Sequence, residues 1–305
     1  MKTACIIQGN IREGFEIVLK EIQKHFDVVI VSTWEDEINQ IPNGKHITLF
    51  NQKPSVTGYS HRNYQRYSTA RGIEKAKELG CDYVLKWRTD MLPTKLNIAQ
   101  LIAWANTNVP SNVASRIVTC AFRNLTVYED WFSSIPDLFA FGHIDMMELL
   151  WGDQGFDYQK MINPPAQMLL DESDTWIDEN GSGGLWCAES ELYALFRDRL
   201  QKKLQKNLTH RIIALEYMRL FDHDKLGIVW FGANKTFRPI IQAYEHPWWS
   251  EKQWSLSVPP PIVHRGYQTT GLFNYIKKKL NIFIQKKELQ KQQDYYRQYK
   301  AKINE

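Results

Sequence analysis

Along the N-terminal third of the chain, short aliphatic and β-branched runs alternate with stretches whose apolar positions recur at helical spacing. Residues 3–8 (TACIIQ) read as a buried strand ending at Gly9. From Glu13 to Phe26 the side chains Phe15, Val18, Leu19, Ile22 and Phe26 fall on one helical face. Val28 to Val31 supply the next strand, closed by Ser32, Thr33 and Trp34. Strand, helix and strand in quick succession make the βαβ unit of a parallel sheet. The Pro- and Gly-containing segment 41–60 reads as a connection. Residues 63–79 follow as a helix with Tyr67, Ala70, Ile73 and Ala76 on one side. Asp82 to Trp87 form a third strand that runs directly into Arg88, Thr89 and Asp90.

The middle of the chain is mixed. Residues 97–106 and 143–151 suit helices, residues 115–122 suit a strand, and Leu138 to Phe141 a short strand reaching Gly142. The segment 152–186, rich in Asp, Gly, Pro and Asn, reads as active-site loops. Helices are expected from Glu189 to about Leu204 and from about His210 to Leu220, with residues 227–263 irregular and aromatic. The pattern predicts an α/β fold in which a Rossmann-type, mostly parallel sheet is flanked by helices. One domain spans residues 1–268, followed by a basic helical tail over 269–305.

Charge changes this picture only at the tail. From Gly271 onward nine Lys or Arg stand against three Asp or Glu, so the tail carries +6 of a chain whose total is +4. The body is therefore slightly acidic, which argues against a nucleic-acid-binding domain. Leu272, Ile276, Leu280 and Phe283 form a narrow apolar stripe among tail lysines. It suits an anionic membrane surface, with packing on the body or a partner as the alternative. Cys5, Cys81, Cys120 and Cys187 are scattered and suggest neither a disulfide framework nor a zinc site. The N-terminus lacks the apolar run of a signal peptide and no stretch reaches membrane-spanning length, so a cytoplasmic location is expected, with peripheral attachment through the tail. Aromatic residues make up 13% of the chain, including 11 Trp, enough to line a sugar site as well as fill a core.

In open α/β sheets, ligands bind beyond the carboxyl ends of the strands. Three expected strand ends carry polar residues: Gln8-Gly9-Asn10, Ser32-Thr33-Trp34-Glu35 and Arg88-Thr89-Asp90. Gly9 lets backbone approach a ligand closely, and Ser32 and Thr33 can bond a base or ribose. Each residue alone also suits an ordinary loop or helix cap. Together they point to a nucleotide site.

These strings resemble a family. CIIQGNI, then VVIVSTWEDE, then Asn63, Gln65, Ser68 and Thr69, then YVLKWRTD are similar to the successive N-terminal motifs of WavE-type lipopolysaccharide biosynthesis proteins, regarded as glycosyltransferases of GT-A-like architecture. DLFAFG (137–142) and AESELYALF (188–196) continue the likeness more loosely. The resemblance implies that Gln8, Gly9, Asn10, Ser32, Thr33, Trp34, Asn63, Gln65 and Ser68 bind the donor. It also implies that Lys86, Arg88 and Asp90 lie under its diphosphate. Sugar transfer expels a nucleoside diphosphate, and either a divalent ion or fixed Lys and Arg can stabilise that charge. Many GT-A enzymes use Asp-x-Asp here, whereas this chain reads Arg-Thr-Asp. Mn2+ or Mg2+ could still be held sparsely by Asp90 with His264, completed by phosphates and water. By the same resemblance Glu189 is the candidate base for an acceptor hydroxyl, with Glu191 as its neighbour, and Asp137 faces the donor or acceptor sugar. His61, Arg62 and Arg66 flank this cluster and either meet phosphates or lie solvated on a helix, solvation being the stronger expectation for Arg66.

The expected partners are a nucleotide-sugar donor, a glycan or glycolipid acceptor of lipopolysaccharide or capsular type, and an anionic membrane surface. Two other classes compete: a sugar nucleotidyltransferase, which would need a Gly-rich triphosphate loop, and a non-catalytic, membrane-associated assembly protein, favoured by Arg88 in place of a carboxylate.

Overall fold

The structure is a computed structural model and describes residues 1–58, 61–121, 135, 137–160, 163, 188–231 and 238–239. The first half runs β1 (Thr3–Gln8), α1 (Phe15–Ile22), β2 (Val28–Trp34), β3 (Ile47–Asn51), α2 (Arg62–Glu78) and β4 (Tyr83–Arg88). It continues through β5 (Met91–Pro93), α3 (Ile98–Asn106), β6 (Ile117–Ala121), β7 (Ala140–His143) and α4 (Ile144–Trp151). The rest comprises α5 (Ala188–Leu204), β8 (Met218–Asp222), β9 (Ile228–Trp230) and β10 (Arg238–Pro239).

Among the described residues, seven strands form one sheet in the order β3-β2-β1-β4-β7-β6-β8, and β10-β9-β5 form a small second sheet. Pairings β1–β2, β1–β4, β2–β3 and β6–β8 are parallel, while β7 runs antiparallel to both β4 and β6. The mostly parallel α/β sheet flanked by helices is the architecture the periodicity predicts.

The central strands are apolar on both faces because helices cover both. Successive side chains alternate across the sheet. Ala4, Ile6, Ile30 and Val84 share one core with Ile73 and Ala76 of α2, Met147 of α4 and Tyr193 of α5. Cys5, Ile7, Val29, Val31 and Leu85 share the other with Val18 of α1 and Leu101 of α3. Gly72 lets α2 lie close on β1, since a Cβ there would collide with the Ile6 side chain.

Three expectations need correction. Residues 47–51 are not connection but strand β3, half-buried at the sheet edge against β2. The stretch from His210 to Leu220 is not one helix. A helical turn at His210–Ile212 passes into a π-helical turn at Ile213–Tyr217 and then into β8, parallel to β6. A short apolar run is ambiguous between helix and strand, and the open place beside β6 decides it. Residues 228–230 are also not irregular: β9 pairs antiparallel with β5. The domain boundary near 268, the basic tail and His264 lie outside the described residues.

Candidate functional site

The parallel register sets the ends of β1, β2 and β4 side by side: Gln8 is paired with Ser32 on one flank and with Arg88 on the other. A pocket of about 310 Å3 opens beyond them. Gln8, Gly9, Asn10 and Arg12 line it from the segment after β1, Trp34 from β2, and Arg88, Thr89 and Asp90 from β4. Lys53, His61, Tyr64, Gln65 and Asp137 complete the wall. Its size is at the lower end of small-molecule sites, roughly 300–1,000 Å3.

The loop after β1 is held from several sides. Gly9 has φ +99°, a conformation L side chains rarely adopt, although a Cβ there would meet nothing within 4 Å. Glycine is therefore needed for backbone shape, not for space. Gly9 N donates to Ser32 O at 3.1 Å, and Thr89 Oγ1 donates to Asn10 O at 2.5 Å. Trp34 Nε1 donates to Asn10 Oδ1 at 2.6 Å. Buried Glu37 accepts from Ile11 N at 3.1 Å and pairs with the Thr33 hydroxyl.

Asp90 is the electrostatic centre. Its carboxylate is 1% exposed, yet two arginines reach it. Arg88 donates from Nε to Oδ1 at 2.9 Å and from Nη2 to Oδ2 at 3.0 Å. Arg12 Nη1 donates to Oδ2 at 2.6 Å, and Trp230 Nε1 to Oδ2 at 2.9 Å. Burial alone would raise the Asp90 pKa, but the bond and charge of Arg88, with Trp230 and Arg12, outweigh it and hold the carboxyl at about 2. Arg88 also stacks on the Trp230 ring, 5.4 Å from its centroid.

Three of those four donors fall on Oδ2 and one on Oδ1, so both oxygens already serve cationic or N–H donors. Among the described residues no group of three or more His, Cys, Asp or Glu side chains is gathered in a metal-holding arrangement. Asp90 as described does not fit the role of ligand to Mn2+ or Mg2+, which seek several open oxygens.

The expected donor-binding residues divide into two sets. Gln8, Gly9, Asn10, Trp34, Gln65, Arg88 and Asp90 line the pocket, as does Asp137. Ser32, Thr33, Asn63, Ser68 and Lys86 are fully buried and brace it from behind. Ser68 Oγ donates to Gln8 Oε1 at 3.0 Å, and Asn51 Nδ2 donates to Ser32 Oγ at 3.0 Å. Asn63 Nδ2 donates to the carbonyls of Val56, Tyr158 and Lys160, so its amide ties two loops together behind the pocket wall.

Asp137 accepts from Gln65 Nε2 at 2.6 Å, and its backbone carbonyl accepts from Lys86 Nζ. Lys86 stands 4.8 Å from the Trp151 ring centroid, and burial pushes its pKa down to about 7, against the raising effect of Asp137. Glu189, at the start of α5, does not line the pocket, though its charge is felt at Lys86 and Arg88. Its neighbour Glu191 is 1% exposed and ion-paired with Arg62. Arg66, expected in solvent, is instead buried between Trp151 and Phe156 and donates to the carbonyls of Leu150 and Gly152.

Arg12, Lys53, Tyr64 and Glu37 are the site residues sequence reasoning missed. Arg12 carried a faint signal, as a basic side chain shortly after an expected strand end; Lys53 carried none, because the strand it follows was read as connection.

A larger cavity of about 730 Å3 lies between α4 and α5, lined by surface charges such as Asp198, Lys202 and Lys203 with Leu149 and Leu195. It brings together no strand ends.

The sequence matches the WavE lipopolysaccharide-synthesis family over residues 5–246, and the chain belongs to that family. No match to a curated protein is found. No helix among the described residues is long and apolar enough to cross a membrane.

Proposed function

We propose that this member of a lipopolysaccharide-synthesis family is a glycosyltransferase whose strand-end pocket binds a nucleotide-sugar donor. The observation that carries the reading is the convergence of three strand ends on one pocket with Arg12, Arg88 and Lys53 in its wall. Cationic side chains there suit the two phosphates of a donor, and the Trp34–Tyr64 pair, with ring centroids 5.2 Å apart, offers an aromatic wall to a base or sugar.

In the reaction the oxygen of an acceptor hydroxyl attacks the anomeric carbon of the donor sugar. A glycosidic C–O bond forms while the bond from that carbon to the β-phosphate oxygen breaks. The electron pair leaves with the nucleoside diphosphate, whose growing charge the arginines stabilise. The hydroxyl proton passes to a carboxylate and then to solvent. Asp137 lines the pocket and is held by Gln65, so it is the preferred base over Glu189.

The acceptor in this reading is a growing lipopolysaccharide glycan, met at an anionic membrane surface by the basic tail. Deleting residues 271–305 should lower binding to anionic liposomes and spare donor hydrolysis.

The direct test is hydrolysis and transfer from a panel of nucleotide sugars by the full chain, beside Asp137→Asn and Glu189→Gln. Turnover by the wild type, lost at least about 100-fold in Asp137→Asn and kept in Glu189→Gln, is the expected result. Absence of turnover with every donor would reject the enzyme. The reverse pattern between the variants would return the base to Glu189.

A further inference from the structure

We infer that the phosphate-binding part of this pocket works without a divalent cation, and that Arg12 and Arg88 themselves hold the diphosphate with Asp90 as their positioning residue. The inference rests on the donor-site reading above and adds the chemistry by which the leaving group is held.

The argument begins with occupancy. A carboxylate that binds Mg2+ or Mn2+ must present an oxygen lone pair to the ion. Asp90 Oδ1 accepts from Arg88, and Oδ2 accepts from Arg12, Arg88 and Trp230, all within 3.0 Å. A cation at Oδ2 would have to displace one of its three donors, and at either oxygen it would sit beside two guanidinium charges. An anion at the same place meets the opposite field.

The two arginines divide the work. Arg88 is 18% exposed, bound to both carboxylate oxygens and stacked on Trp230, so its fork is fixed in place. Arg12 is 43% exposed, makes its contact to Asp90 through Nη1 and lines the pocket from a loop. A guanidinium carries five N–H donors in a planar fork, so Arg12 can bond phosphate oxygens while leaning on Asp90, or exchange Asp90 for them. When Arg12 turns away, Asp90 keeps Arg88 and Trp230, so the carboxylate is never left buried and unpaired. Lys53 adds a third positive charge, tethered to exposed Asp36 at 2.5 Å. Arg62 and Arg66 cannot contribute, because both are 4% exposed and bonded elsewhere.

The test is calorimetric titration of the full chain with inorganic pyrophosphate and with UDP, GDP, CDP and ADP, in EDTA and in Mg2+ or Mn2+. The expected result is binding of pyrophosphate and at least one nucleotide in EDTA, within about threefold of the affinity with metal. Arg12→Ala should weaken it about tenfold or more, and Arg12→Lys should recover part of the loss. Thermal unfolding of Arg12→Ala should match the wild type, which separates lost contact from lost fold. Binding that needs the metal, or an Arg12→Ala protein that binds as well as wild type, would overturn the inference and leave the donor site standing. Pyrophosphate binding in EDTA without any nucleotide would keep the arginine site and remove the donor reading. Silence from every probe would overturn both.

Discussion

Among the described residues, the networks of buried charge around Asp90 and around Glu191 differ in what remains at the surface. Around Glu191 the main groups are closed off: Arg62 and Arg66 are each 4% exposed, Asn163 is fully buried and Glu191 is 1% exposed. Glu191 pairs with Arg62 and accepts from Asn163 N at 2.8 Å, while Arg66 lies against aromatic rings. Around Asp90 the carboxylate is just as buried, yet one of its cations, Arg12, stands 43% exposed in a pocket wall. A closed network can only position chain segments. A network with one exposed arm can exchange a partner for a ligand.

The largest effect should follow from breaking the closed network. Arg62→Met removes the ion-pair partner of buried Glu191, and removal of one partner of such a pair costs about 3–5 kcal/mol. Chemical denaturation should show that loss, and Glu191→Gln a smaller one. A change below about 1 kcal/mol in Arg62→Met would mean that water reaches Glu191 and that the contrast with Asp90 is false.

Next in size is Asp90→Ala, which removes the shared counter-ion of Arg88 and Arg12. Both arginines keep some solvent, so the stability loss should be about 1–3 kcal/mol, smaller than for Arg62→Met. Turnover should nevertheless disappear, because neither guanidinium keeps its place. The folded pKa of about 2 lies below the ordinary 3.8, so the stability Asp90 contributes is full above pH 4 and fades as pH falls toward 2. Wild-type turnover in Asp90→Ala, measured by donor hydrolysis, would remove Asp90 from the mechanism.

These contrasts also mark what the sequence could convey. β1, β2 and β4 are legible because strands buried on both faces leave short runs dominated by apolar residues, and they end in Gln8, Trp34 and Arg88 as a set. β3 hides because a half-buried edge strand between Pro- and Gly-containing loops lacks such a run. β8 reads as helix because its few apolar residues fit either period until β6 offers a partner. The Arg12–Asp90 pair spans 78 residues of sequence, so only chain folding brings it together, and the place of Arg12 just beyond β1 does not mark Asp90 as its partner. For Arg66 the misreading has the same root: a helical Arg is ordinarily solvated, and only the packing of Trp151 and Phe156 over it changes that.

Lys86 links the pocket to the core and should show itself through pH. Burial lowers its folded pKa from 10.5 to about 7, while an unfolded lysine keeps its proton well past that. Between about pH 7 and 10 the unfolded chain therefore binds more protons, and the Lys86 contribution to stability rises with pH by at most ~1.4 kcal/mol per unit. Lys86→Met should flatten that rise in unfolding experiments at pH 7, 8 and 9. An identical slope in wild type and variant would mean that Lys86 stays solvated enough to titrate normally.

The smallest effect belongs to the larger cavity, where a comparison by volume would have placed the site. Lys202 is 75% exposed and pairs with Asp198 at 2.8 Å across one helical turn. Such a pair gains little because water screens it and two long side chains must be ordered to form it, so Lys202→Ala should shift stability by no more than about 0.5 kcal/mol. Nucleotide binding should not change, since none of this cavity's wall belongs to the strand-end pocket. Arg12→Ala is the matched case: a single exposed cation removed from a cavity wall, with little cost to the fold but a large loss of anion affinity. If Lys202→Ala weakened nucleotide binding as much as Arg12→Ala, the groove between α4 and α5 would be the ligand site, and the contact with buried Asp90 would not be what sets Arg12 apart.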